Sequence, residues 1–115
     1  MASPKTSCAR QPKRQSSESV PTFDIRREDG ETKGRLFLIH DGAEAELTYS
    51  ILSPHSRIAD HTGVPDALRG TGAGRALVER LVADARAEGW KIVPLCPFVN
   101  SQRARHPEWA DAFNV

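Results

Sequence analysis

The sequence predicts an α+β fold: a mainly antiparallel sheet with helices packed on it, in the order β-β-β-β-α-β-α. Three observations predict it. Ala43, Ala45, Leu47, Tyr49 and Ile51 alternate with Glu44, Glu46, Thr48 and Ser50, the period of a strand with one buried and one wetter face. Asp41-Gly42 stands between this run and another strand-like run, the strongest short-range signal for a hairpin. Leu77, Val78, Leu81, Val82 and Ala85 recur at helical spacing as one apolar stripe.

The elements follow in chain order. Residues 1–21 are expected to form a disordered basic tail, because Lys5, Arg10, Lys13 and Arg14 face the single acid Glu18 and there is little to bury. The folded domain is expected over 22–115. Phe23 and Ile25 alternate with Asp24 and Arg26 as a short first strand, and Asp29-Gly30 marks a turn. Arg35 to His40 is a second strand and Ala43 to Ile51 a third, completing an antiparallel meander. Ser53-Pro54-His55-Ser56 reads as a loop. Arg57 to Val64 is a fourth strand of poor alternation, since Ile58 and Val64 share a parity with Asp60 and Thr62; a bulge or a functional surface would each explain this. Pro65 ends the strand. The helix is expected over Gly72 to Glu88, with Gly89 as its C-terminal cap and Arg80 and Asp84 spaced to pair. Trp90 to Leu95 is a fifth strand, and Pro94 and Pro97 stop its pairing because they donate no N–H. Val99 to about Arg105 is a short helix, broken at Pro107 before a turn carrying Trp109 and Phe113. The β-α-β unit makes the fourth and fifth strands parallel neighbours.

A length of 115 residues allows one domain. The net charge of +1 gives no general pull toward nucleic acid or membrane, and no apolar run approaches the roughly 18 residues that span a bilayer. The basic N-terminus has no apolar stretch behind it, so no secretory signal is expected. Cys8 and Cys96 do not suggest a disulfide framework, and a reduced, cytoplasmic setting is expected. No Cys/His spacing suggests a metal site.

The segment between the fourth strand and the helix is Arg69-Gly70-Thr71-Gly72-Ala73-Gly74-Arg75. A strand, a glycine turn and a helix N-terminus make a recurring phosphate site, because the first helical N–H groups lack partners and the dipole adds positive charge. Glycine at alternate positions removes the Cβ atoms that keep an anion off the backbone, and Arg69 and Arg75 flank the turn with further charge. A P-loop requires Lys followed by Ser or Thr at the end of the turn, where this chain has Arg75-Ala76. The dinucleotide fingerprint requires G-x-G-x-x-G in a larger parallel sheet, whereas here the spacing is G-x-G-x-G after a meander.

Arg69-x-x-Gly72-x-Gly74 between a strand and an amphipathic helix resembles the acetyl-CoA signature of the GNAT superfamily of N-acetyltransferases. His61-Thr62, Val64-Pro65, Leu68-Arg69-Gly70, Val93-Pro94-Leu95-Cys96-Pro97-Phe98 and His106-Pro107-Glu108-Trp109 resemble its minimal, single-domain family over roughly residues 22–113. The resemblance implies that the fourth and fifth strands splay apart around the pantetheine arm of acetyl-CoA. It implies that backbone at Val64 faces the arm and that Arg69, Gly70, Thr71, Gly72, Ala73, Gly74 and Arg75 hold the pyrophosphate. It implies that His61 and Cys96 are active-site residues. Gly63 departs from the larger residue usual after His-Thr in that family. The chain stops soon after Trp109, which implies an open, shallow acceptor site.

The chemistry so implied is N-acetyl transfer from acetyl-CoA to a primary amine, peptide, polyamine or small molecule, with no metal, by a monomer or weak dimer. His61 has the pKa range to take the amine's proton directly or through water; a lone strand histidine is also often a hydrogen-bonded structural residue. Cys96 reads as a nucleophile passing through an acetyl-cysteine, as the acid that protonates the departing thiolate, or as an inert buried thiol. His40, His55 and His106 read as turn or packing residues. The alternative function is a non-catalytic CoA-binding or acyl-CoA-sensing module.

Overall fold

The structure, a computed structural model, describes residues 23–115; the expected tail, with Cys8, lies outside the described residues. Five strands form one sheet in the order β1 (Arg26–Asp29), β2 (Lys33–His40), β3 (Ala43–Ser53), β4 (Ser56–Gly63) and β5 (Lys91–Pro94). Neighbours are antiparallel as far as β4, and β5 runs parallel to β4. A 3-10 turn at Asp66–Leu68 leads into helix α1 (Ala73–Glu88); helix α2 (Pro97–Arg105) and a second 3-10 turn (Pro107–Ala112) follow β5. The expected class and order are both present. None of the described helices is long and apolar enough to cross a membrane.

Local chemistry sets the boundaries. Asp41 and Gly42 both take positive φ, 51° and 79°, the turn whose twist matches the flanking strands of a hairpin. Phe23 and Ile25 precede the ladder instead of opening it and pack, partly buried, against the core. α2 starts at Pro97, before the expected Val99, because a proline at the first helical position gives up an N–H that has no partner there anyway. Gly89 caps α1 at φ 80°, and the N–H groups of Gly89 and Trp90 both reach the Ala85 carbonyl.

The irregular fourth strand contains a bulge. Thr48 pairs with His61 but Tyr49 pairs with Ala59, so Asp60 is the extra residue, and its carboxylate accepts a hydrogen bond from Ser50 Oγ at 2.7 Å. The bulge flips the parity of the strand. Ala59 and Thr62 share the core-facing side with Tyr49 and Leu47, while Ile58 and His61 share the other side with Ser50 and Thr48.

Leu36, Leu38, Leu47 and Tyr49 of the core face are buried against the stripe of α1. The same side is fastened at the rim. Arg27 of β1 binds Glu88 at the end of α1, and Arg57 of β4 lies 4.4 Å above the Trp90 ring and 3.4 Å from Asp29. The Arg27 guanidinium holds the Glu88 carboxyl down at about 2. Burial and the hydrogen bond to Asp29 push the Tyr49 hydroxyl above its ordinary range. The opposite face carries Arg35, which stacks on Phe37 and binds Glu28, Glu44 and Glu46.

Candidate active site

The glycine turn is built by two different constraints. Gly70 and Gly72 sit at φ 78° and 88°, where a side chain strains the backbone, and a Cβ on either meets nothing within 4 Å. Their surroundings are open. Gly74 differs: a Cβ there stands 2.8 Å from Phe98 Cζ and 3.2 Å from Val64 Cγ2. The sequence gives all three glycines one reason, clearance for an anion; at Gly74 the reason is packing of α1 against Phe98 and Val64.

Thr71 braces the turn. Its hydroxyl donates to the Leu68 carbonyl at 2.6 Å and accepts from the Ala73 N–H at 3.2 Å. The first bond inside α1 runs from the Ala76 N–H to the Gly72 carbonyl at 2.9 Å. The N–H groups of Gly74 and Arg75 therefore have no intrahelical partner, and the positive end of a 16-residue helix stands behind them. Arg69 and Arg75 are exposed and paired with Asp66 and Glu79, at 3.2 and 3.1 Å. Exposed pairs of this kind are weak, so both guanidinium groups can turn toward a phosphate.

The turn opens on a groove of about 610 Å³. Thr62, Val64, Phe98, Gln102 and Arg105 line the rest of it. A second hollow of comparable volume, about 540 Å³, lies at the β1–β2 turn around Asp29 and Gly34; it adjoins neither the glycine turn nor Cys96.

The end of β5 shapes the groove's inner end. The β4–β5 ladder stops at Ala59 and Pro94, and the Cys96 N–H closes on the Ala59 carbonyl at 2.9 Å. Beyond it β4 continues through Asp60–Gly63 with no partner on β5. Pairing stops where Pro94 and Pro97 were expected to stop it, at the place where the resemblance implies the splay. Cys96 lies at its apex, 3 % exposed, with its Sγ 3.4 Å from Thr62 Oγ1. His61 leaves β4 from the opposite side. It is exposed, in register with Thr48, and its Nε2 is 3.6 Å from the place a Gly63 Cβ would take.

The structure thus gathers Val64, Arg69, Gly70, Gly72, Ala73, Gly74 and Arg75 around one groove, with Thr71 bracing it. It puts Cys96 against Thr62 and separates His61 from both by the thickness of the sheet. Thr62, Phe98, Gln102 and Arg105 are groove residues that sequence reasoning passed over. One signal for Gln102 was legible: it follows Val99 by three, so it shares the inward side of α2. A polar residue on an inward face asks for an explanation.

The surroundings suit a CoA thioester. Open αL glycines and free amides match a pyrophosphate. Gln102 is 8 % exposed, and among the described residues its buried Oε1 has no hydrogen-bond partner.

Comparisons with known proteins agree with this geometry. The family model described as GCN5-related N-acetyl-transferase matches residues 35–112. Among solved structures, the NMR solution structure of a GCN5-like candidate N-acetyltransferase from Staphylococcus aureus is similar at a TM-score of 0.61 and 31% identity, covering 77% of this chain and 87% of that one. No match is found among curated proteins. Sequence motifs, sheet topology, splay and family match converge: the chain belongs to the GCN5-related N-acetyltransferase family.

Proposed function

We propose that this domain transfers an acetyl group from acetyl-CoA to a primary amine. The observation that carries the reading is the continuity of one groove from the free amides of Gly74 and Arg75, past Val64, to Thr62, with Cys96 directly behind. Gly70, Gly72, Gly74 and Arg75 would hold the pyrophosphate, joined by Arg69, and the β4 backbone beside the splay would face the acyl-carrying arm. Bound there, acetyl-CoA supplies an activated thioester carbonyl.

The acceptor amine would approach from the open sheet face, where His61 is exposed, and His61 would take its proton. Backbone N–H groups of the unpaired stretch of β4 are candidates to stabilise the developing oxyanion. For Cys96 the surroundings favour an acid over a nucleophile. An activated thiol needs a base within hydrogen-bond reach, and the partner of Cys96 Sγ among the described residues is the Thr62 hydroxyl. We therefore read Cys96 as the group that protonates the departing CoA thiolate, with direct transfer to the amine.

The test is release of CoA thiol from acetyl-CoA in the presence of a panel of peptides, polyamines and small amines. Amine-dependent release supports transfer. Binding of CoA without release on any amine points to the acyl-CoA-sensing alternative.

A further inference from the structure

Gly63 ends β4 beside His61, and neither its backbone nor its packing calls for glycine. Each of the chain's other glycines takes a positive φ or has a neighbour within 3.3 Å of the place its Cβ would take. Gly63 does neither. Its φ is not positive, and among the described residues an added Cβ meets one atom, His61 Nε2, at 3.6 Å, an ordinary contact. Glycine inside a strand weakens it, because it orders at a greater entropic cost and offers no side chain to pack. A strand glycine without a reason inside the fold marks a place that another molecule approaches closely.

The strand register defines the surroundings. Gly63 pairs with Glu46 and His61 pairs with Thr48, so these four positions share the open face of the sheet. Cross-strand neighbours on one face stand about 5 Å apart. The missing side chain therefore leaves a notch with His61 beside it along the strand and Glu46 across from it. Arg35 Nη1 donates to Glu46 Oε1 at 2.8 Å, so the far wall is an ion pair rather than a lone charge. A Cβ at Gly63 would sit at an ordinary distance from His61. The notch thus has room for one methyl-sized group, brought by the protein or by the acceptor, and not for both.

We propose that Gly63 sets the choice of acceptor: the notch receives the branch of an amine carried on a branched carbon, such as an α-amino group, while the nitrogen faces His61. The inference rests on the acetyl-transfer reading above. In that transfer the nitrogen bonds to the acetyl carbonyl carbon as the C–S bond breaks. The amine's proton goes to His61, and the departing thiolate takes a proton from Cys96. Gly63 takes part in none of these events. It acts on which amine can bring its nitrogen to His61, since an amine on an unbranched carbon has nothing to place in the notch and a branched one must place its branch beside the base.

The experiment compares glycinamide with alaninamide as acceptors, two amines of similar basicity that differ by one methyl on the amine-bearing carbon. Release of CoA thiol from acetyl-CoA gives kcat/KM for each. The wild type is expected to use alaninamide at least as well as glycinamide. In Gly63→Ala, and more strongly in Gly63→Val, kcat/KM for alaninamide is expected to fall about tenfold relative to glycinamide. Coenzyme A affinity by calorimetry should stay that of the wild type, and the thermal midpoint should be equal or higher, because a strand glycine has gone. An unchanged ratio in Gly63→Val overturns the proposal, as does an equal loss on both acceptors, which marks a general disturbance of the site. A wild type that acetylates other amines but not alaninamide overturns it as well. Absence of CoA release with every amine overturns the acetyl-transfer reading itself, and the inference falls with it. Should Gly63→Val not fold, Gly63→Ala, whose added methyl makes only an ordinary contact, is judged by the same ratio.

Discussion

Gly74 shows how much a single hydrogen atom can decide. As an ordinary helical residue it would gain about 1 kcal/mol on replacement by alanine. Here the new methyl stands 2.8 Å from Phe98 and 3.2 Å from Val64, and overpacking of this kind costs about 1–3 kcal/mol. The Phe98 ring must then swing toward the groove it lines. Gly74→Ala is expected to lower stability by about 1 kcal/mol net and to weaken CoA binding; Gly74→Ala/Phe98→Leu should recover both, as denaturant melts and calorimetry in a double-mutant cycle would report. Recovery of neither would mean that Phe98 is not the obstacle. Gly72 answers to the other constraint. Asparagine tolerates its left-handed backbone and glutamate does not, so Gly72→Asn should keep a folded protein that still binds CoA. Gly72→Glu, which adds bulk and negative charge, should abolish binding. Equal affinity in the two variants would remove the pyrophosphate from this turn. Sequence reasoning grouped all three glycines in the segment between β4 and α1. It could not divide them by cause, because a motif states spacing while the difference lies in Phe98, which is 24 positions away in the chain.

At the scale of elements, regular patterns were legible and exceptions were not. The alternation of β3, the Asp41-Gly42 hairpin and the stripe of α1 all stand where the period puts them, since each is a local rule. The bulge at Asp60 obeys a non-local one: the residue count of β4 against its partner β3. From the sequence it is visible only as spoiled parity, and that parity decides which of His61 and Thr62 meets Cys96. The rim that joins β1 to the end of α1 was equally hidden, because Arg27 and Glu88 are 61 residues apart. Its pH dependence follows from the Glu88 carboxyl, lowered from 4.5 to about 2 chiefly by its hydrogen bond with Arg27. A carboxyl depressed in the folded state binds fewer protons there than in the unfolded chain. Its contribution is therefore complete above about 4.5 and disappears as the pH falls toward 2. Asp29 adds to the same trend: burial pushes its carboxyl up, but hydrogen bonds from Arg27 and Tyr49 bring it below its ordinary value. Thermal midpoints measured between pH 6 and roughly pH 2 should fall for the wild type and fall less for Arg27→Gln. Parallel curves would show that the clasp does not couple to folding.

The whole molecule is a sheet with two unlike faces, and the proposed chemistry is divided between them. The core face holds the groove, with the turn, Thr62 and Gln102 along it and Cys96 behind. The other face exposes His61 beside the bare backbone of Gly63. The β4–β5 ladder ends at Ala59 and Pro94, and under the proposed function the thioester and the amine would meet beyond that end. Two variants separate the faces. His61→Ala should leave CoA affinity intact and lower turnover by about a hundredfold, the scale of lost general-base assistance. Its loss should lessen as the pH rises, since more amine then arrives already deprotonated. Cys96→Ala should slow turnover with a different signature. If Cys96 is an acid, a thiol ester with a better leaving group, which needs no proton on departure, should restore much of the rate. Mass spectrometry of the wild type incubated with acetyl-CoA and no amine should then show no acetyl group on Cys96. An acetylated Cys96 that transfers on addition of amine would replace the direct route with a covalent one, and would require a bound substrate to supply the base that Cys96 lacks among the described residues.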